Sequence, residues 1–187
     1  MDMPSAKAPE MYTWYPLSSV ILYNGMTIAH FTLGGAGIIL GYGSWIGWLA
    51  GLLYIALALA QMYFLMPQKV CPDCVYFYLL DSRCISGMNL LSRKLASRGD
   101  TKDFPRRAKG MLCHNNLYMA ALFIPVVAII PTLIINFSFI VFILLLIVIG
   151  LFVFRIFFIF PKVACVRCRA KNICPNAKSM KLNSNEH

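Results

Sequence analysis

Four long apolar runs dominate the chain, at Leu17–Tyr42, Ser44–Met66, Asn116–Asn136 and Phe139–Phe160. Each is long enough to cross a hydrocarbon core of about 30 Å, which takes about 20 apolar residues in helical form. Only Gly43 separates the first two runs, and only Asn136-Phe137-Ser138 the last two, so both connections are predicted to be tight turns. The expected architecture is all-α and integral to the membrane: a four-transmembrane-helix, up-down bundle of two hairpins with a small Cys-rich cytoplasmic cap. Residues 1–16 form a leader, 17–66 the first hairpin, 67–113 a loop, 114–160 the second hairpin and 161–187 a tail.

Composition agrees with the pattern. The chain is 59% hydrophobic with a mean hydropathy of +0.69, above the roughly 45–50% apolar content of soluble domains. The first run does not read as a cleaved signal, because Asp2 and Glu10 precede it against the single Lys7 and its apolar length exceeds a signal core. The chain shows no convincing internal repeat, although both hairpins deliver cysteines to the same face.

Charge sets the expected orientation. Of 17 Lys and Arg, nine lie in Lys69–Lys109 and six in Lys162–Lys181, with none in either hairpin turn. The positive-inside rule then makes loop, tail and both termini cytoplasmic, in a plasma or inner membrane. The basic surplus is read as topology and attraction to anionic lipid headgroups. No aromatic-basic module for nucleic acid accompanies it, and no paired intramembrane carboxylates suggest an ion-coupled transporter.

Neither extramembrane segment is long enough to bury a core alone, so a metal, a disulfide or a partner is expected to order them. Within the loop, Ile85–Arg98 places Ile85, Met88, Leu91, Leu95 and Ala96 near one side at helical spacing, predicting an amphipathic helix ended by Gly99-Asp100. In the spans, Gly37, Gly41, Gly43, Gly47 and Gly51 predict close packing of the first two helices. Pro125 and Pro131 predict kinks in the third.

All seven cysteines fall in the basic segments: Cys71, Cys74 and Cys84, then Cys113, then Cys165, Cys168 and Cys174. Two Cys-x-x-Cys units, Cys71-Pro72-Asp73-Cys74 and Cys165-Val166-Arg167-Cys168, have the spacing that lets two thiolates share one tetrahedral metal. A reducing compartment and an odd count favour metal ligation or redox chemistry over structural disulfides. Two groupings are open. In one, Cys71, Cys74, Cys165 and Cys168 form one centre, and Cys84, Cys113, Cys174 and His114 form a second site or remain unligated. In the other, Cys71, Cys74, Cys84 and Cys113 form a centre, and Cys165, Cys168 and Cys174 take a fourth ligand from His114 or a partner. Zinc fits the short units; an iron–sulfur cluster is suggested by Pro175 directly after Cys174; free redox-active thiols are the third option.

His30, at mid-span, is either a neutral side chain bonded to another helix or a cofactor ligand, of quinone or haem; His114 at the interface and His187 at the terminus do not suit a second haem ligand. Arg155 lies near the cytoplasmic end of the fourth span and is expected to snorkel to the headgroups. Four spans with Cys-x-x-Cys units resemble the quinone-linked disulfide-forming membrane enzymes, the vitamin K epoxide reductase and bacterial oxidant-regenerating types. That resemblance implies thiol chemistry coupled to a quinone, although the charge pattern places every cysteine here on the reducing side. Three functions follow: a membrane subunit of a larger redox complex with a cytoplasmic metal–thiolate centre, a zinc-stabilised scaffold that docks a soluble protein, or a quinone-linked thiol oxidoreductase.

Overall fold

A computed structural model describes residues 10–107, 114–174, 177–178 and 180–182. Cys113 and His187 lie outside the described residues. The described residues are helical, without a strand; two isolated bridges, Tyr12 with Cys168 and Trp14 with Arg83, are the only sheet-like pairings among them.

Helix α1 runs Leu17–Tyr42 and α2 runs Trp45–Lys69. A short helix, α3 (Met88–Leu95), follows in the loop. Helix α4 spans His114–Ile135 and α5 spans Phe139–Ala164. Three helices are long and apolar enough to cross a membrane, over Trp45–Lys69, Asn116–Ile135 and Phe139–Ala164. Helix α1 is as long, but Asn24, Thr27, His30 and Thr32 lower its hydropathy. It packs against α2, α4 and α5, and α4 packs against α5. The core along these helices includes Phe31, Ile38, Leu122, Ile129, Val141 and Leu145.

The turns form for local reasons. Gly43 ends α1 at φ +55°, a left-handed conformation that costs glycine little. Ser44 then caps α2, its hydroxyl accepting the Gly47 amide at 3.3 Å. Glycine contacts divide differently from the sequence expectation. Gly35 of α1 lies close against α2, where an added Cβ would lie 2.3 Å from Ile55 and 3.1 Å from the Gly51 carbonyl. Gly37 and Gly41 instead face Ile129 and Thr132 of α4. Glycine spacing marks a close approach without naming the partner helix.

Pro125 and Pro131 both lie inside the continuous helix α4. Proline at 125 removes the amide that would bond the Ala121 carbonyl. The Tyr54 hydroxyl of α2 donates to that carbonyl at 2.8 Å, so a neighbouring helix supplies the missing donor.

The helix bounds also expose a repeat that the sequence reading missed. Ser44, Pro67, Cys71 and Cys74 recur 94 residues later as Ser138, Pro161, Cys165 and Cys168. Trp45–Ala60 and Phe139–Phe154 are both 16-residue α-helical stretches that pass into π-helix, at Gln61–Leu65 and Arg155–Ala164. Gly47, Gly51, Tyr54 and Gln61 are buried in α2, and the matching Val141, Leu145, Val148 and Arg155 are buried in α5. Hydropathy hides this correspondence because side-chain size changes at most matched positions while the buried face, proline and cysteines keep their register.

Helix α3 is shorter than expected from the sequence. Gly87 starts it at φ +71°, and Ala96 is already extended. Its inward face is Met88, Asn89 and Ser92, whereas Leu90, Leu91 and Leu95 are exposed. Asn89 turns inward to donate to the Tyr76 and Ser82 carbonyls, which overrides the simple apolar-in pattern.

Candidate functional site

The cysteine-bearing segments follow directly from α2 and α5. After Pro67 and after Pro161, each chain segment leaves its helix and presents Cys-x-x-Cys four residues on. In the first, Cys71–Asp73 is a 3-10 turn and Val75–Tyr78 a single helical turn. Arg93 of α3 closes that turn: Nε donates to the Phe77 carbonyl at 3.2 Å, Nη1 to Leu80 at 2.6 Å, and Nη2 to Tyr76 at 2.7 Å and to the carbonyl of Leu79. These are the unpaired acceptors that every helix end leaves. Asn89 adds bonds to the Ser82 carbonyl at 2.7 Å and, through Oδ1, from the Cys84 amide at 3.0 Å. Cys84 is thereby tied to α3.

The leader holds the two cysteine segments together. The Tyr12 amide donates to the Arg167 carbonyl at 2.9 Å, and the Tyr15 amide to that of Arg83 at 2.9 Å. The Tyr15 hydroxyl donates to the Ala164 carbonyl at 2.5 Å, and the Tyr76 hydroxyl to that of Tyr12 at 2.6 Å. Arg83 stacks over Trp14 at 4.7 Å and Arg167 over Tyr12 at 4.9 Å. Nothing in the hydrophobic pattern singles out residues 12–15; the aromatic run Tyr12-Thr13-Trp14-Tyr15 was the available signal.

Six cysteines share one neighbourhood. Burial first, then the neighbouring Cys84 and Cys74, push the Cys71 thiol well above its ordinary range. Burial also pushes Cys74 up to about 12, with Cys168, Cys84 and Cys174 adding to it. Cys165 and Cys168 reach about 12 for the same first cause, with Cys168 and Cys174 beside the former and Cys174 and Cys84 beside the latter. Loop and tail cysteines therefore meet, and Cys74 and Cys168, matching members of the repeat, lie within electrostatic reach of each other. None of the six is in a disulfide.

A cavity of about 170 Å³ is lined by the three tail cysteines, Cys165, Cys168 and Cys174, together with Tyr23, Tyr118 and Phe160 among others. Among the described residues, no three His, Cys, Asp or Glu side chains stand at the spacing of a formed metal site. The donor chemistry suits a soft cation that takes thiolate ligands. The thiols border a void instead of closing on a point, so ligation of a single ion requires the walls to draw in.

His114 Nδ1 lies 3.1 Å from Gln61 Nε2, which also donates to the His114 carbonyl at 3.1 Å. His30 is buried, and its Nε2 lies 2.8 Å from the Leu122 carbonyl of α4, so this nitrogen carries the proton. Arg155 departs from the snorkelling expectation. Only 1% exposed, it points between helices and donates to the Tyr118 hydroxyl, to the Thr27 hydroxyl and, at 3.0 Å, to the Tyr23 carbonyl. Helices α1 and α4 surround it with three acceptors, so the headgroup route is not taken.

The fold thus defines an all-helical protein with three helices able to cross a membrane and two cysteine-bearing segments brought together beyond their ends. Compared with protein-family profiles, curated proteins and solved structures, the chain matches none.

Proposed function

We propose that the chain is a membrane subunit of a larger redox complex, in which α1 crosses with the other three helices and a cytoplasmic cap holds a metal–thiolate centre. The observation that carries this reading is the convergence of both Cys-x-x-Cys units of the repeat. Cys74 and Cys168, matching members of the two units, meet with Cys84 and Cys174 beside them, and Cys71 and Cys165 flank this set from their own segments. A bound iron–sulfur group would supply one-electron transfer; bound zinc would supply a structural clamp only. The protein's own contribution is to bury the thiols and to lock loop, tail and leader around them. The extramembrane mass is small and lacks a nucleotide motif, which favours a subunit over a free-standing enzyme.

Metal content and the absorption spectrum of the anaerobically purified full chain test the proposal. Stoichiometric iron with a visible band that bleaches on reduction is the expected result. Stoichiometric zinc with a featureless spectrum turns the reading into that of a scaffold docking a soluble protein on its basic face. Absence of both metals with a reversible disulfide turns it into a thiol oxidoreductase working with a membrane quinone.

A further inference from the structure

The inward turn of Met88, Asn89 and Ser92 leaves Leu90, Leu91 and Leu95 of α3 facing out, with the exposed Lys94 among them. The helix packs against Met66–Lys69, the last turn of α2. Its leucines are therefore held where an apolar span ends and lipid headgroups begin. Leucines interleaved with a lysine on the open face of a helix at that level suit a lipid interface.

A polar cavity of about 420 Å³ is lined by Gln68 and Lys69 of α2, by Asp73, and by Leu95, Ser97 and Arg98 at and beyond the end of α3, among others. Lys69 and Arg98 are exposed and bring two positive charges to it. Asp73 is the one acid among the described lining residues; it is 1% exposed, and its Oδ1 accepts the Asp100 amide at 3.0 Å, so its charge is turned to the loop backbone. Arg98 is held in place, its guanidinium 4.1 Å from the centre of the Tyr78 ring, whose hydroxyl donates to the Gly99 carbonyl. The Gly99 amide in turn donates to the Pro72 carbonyl at 3.3 Å. A cation fixed in this way loses little freedom when an anion arrives. Arginine and lysine, with the neutral donors of Gln68 and Ser97, make up the chemistry that recognises phosphate.

We propose that this pocket binds the phosphate of an anionic phospholipid, with Lys69 and Arg98 as its charge partners, while the outward leucines of α3 sit among acyl chains. A lipid is favoured over a soluble phosphate because the pocket stands at the end of a membrane-length helix and Leu95 belongs both to its lining and to the exposed leucine face. One molecule thus meets charge and apolar surface together. The site depends on α2 crossing a membrane and is independent of the metal–thiolate reading above.

The test uses the full chain, purified in detergent and stripped of lipid, then titrated with phosphatidylglycerol or phosphatidylcholine while mass spectrometry of the intact protein counts bound lipid. Wild type is expected to hold one phosphatidylglycerol with a preference of roughly tenfold or more over phosphatidylcholine, and to keep it in millimolar inorganic phosphate. K69Q/R98Q is expected to lose that preference. R106Q/R107Q removes the same charge from loop residues outside the pocket lining and is expected to retain it. Helical content and elution volume report the fold of each variant. K69Q alone changes one exposed side chain and keeps the test decisive if the pair does not fold; its preference is expected to fall about threefold. Equal loss in both folded pairs, wild-type preference in folded K69Q, or no preference in wild type overturns the pocket. Displacement of the lipid by inorganic phosphate assigns the pocket to a soluble phosphate and overturns the lipid as its occupant.

Discussion

The two hairpins solve the same packing problem with opposite means. At matched buried positions the first hairpin has Gly47 and Gly51, and the second has Val141 and Leu145. Glycine brings backbones together: an added Cβ at Gly51 would lie 2.7 Å from the Gly35 carbonyl. In α5 the matched Val141 and Leu145 are instead buried as side chains in the core. The difference extends to the partners, since α5 packs along α1 whereas α2 meets α4 sparsely. That leaves an apolar groove lined by Leu57, Ala58, Leu117 and Ala121. A repeated sequence register therefore conserves which face is buried without conserving how far apart the helices sit.

The largest way to break this contrast is Gly51→Leu, the residue type at the matching position 145. Leucine there must displace backbone, so we expect about 3 kcal/mol or more of destabilisation, read as reversible unfolding in mixed micelles. Wild-type stability in that variant would mean the α1–α2 approach is not close. Next is Cys74→Ser or its counterpart Cys168→Ser. Either is expected to render loop and tail equally sensitive to limited proteolysis while the hairpins remain inserted. Protection of one segment after loss of the other's cysteine would argue for separate sites.

Tyr54→Phe is a smaller change. It removes the donor that satisfies the Ala121 carbonyl beside Pro125, with an expected loss of about 1–2 kcal/mol. Restoring the helical amide by adding Pro125→Ala should shrink that loss, and strict additivity of the two changes would contradict the pairing. The smallest effect is Gly150→Ala. Nothing lies within 4 Å of an added Cβ there, so alanine is expected to leave packing intact and to add about 0.5–1 kcal/mol through reduced backbone freedom. A destabilised Gly150→Ala would reveal an unseen close neighbour on the outer face of α5.

Much of the architecture was legible in the sequence because membrane helices are specified by long runs of one chemical character. Run length and the single-residue separation at Gly43 placed the helices to within a few residues. The same held for the cysteine spacing, since Cys-x-x-Cys is a local pattern. The repeat was also present in the chain, through Ser44 and Ser138, Pro67 and Pro161, but was masked by changes of residue size between the halves. Residues 12–15 gave no periodic signal, because their role is to bond two segments that are distant in sequence.

By itself, then, the sequence determined the apolar runs, the turns, the basic segments and the local spacing of thiols, all of which depend on neighbours along the chain. Tertiary structure decided that Gly37 and Gly41 face α4, that α3 turns its polar side inward, that His114 bonds Gln61, and that Arg155 is enclosed instead of reaching the headgroups. Each of these depends on which acceptors, rings and backbones arrive from other helices, and a side chain as long as arginine has two physically acceptable destinations until those neighbours are in place.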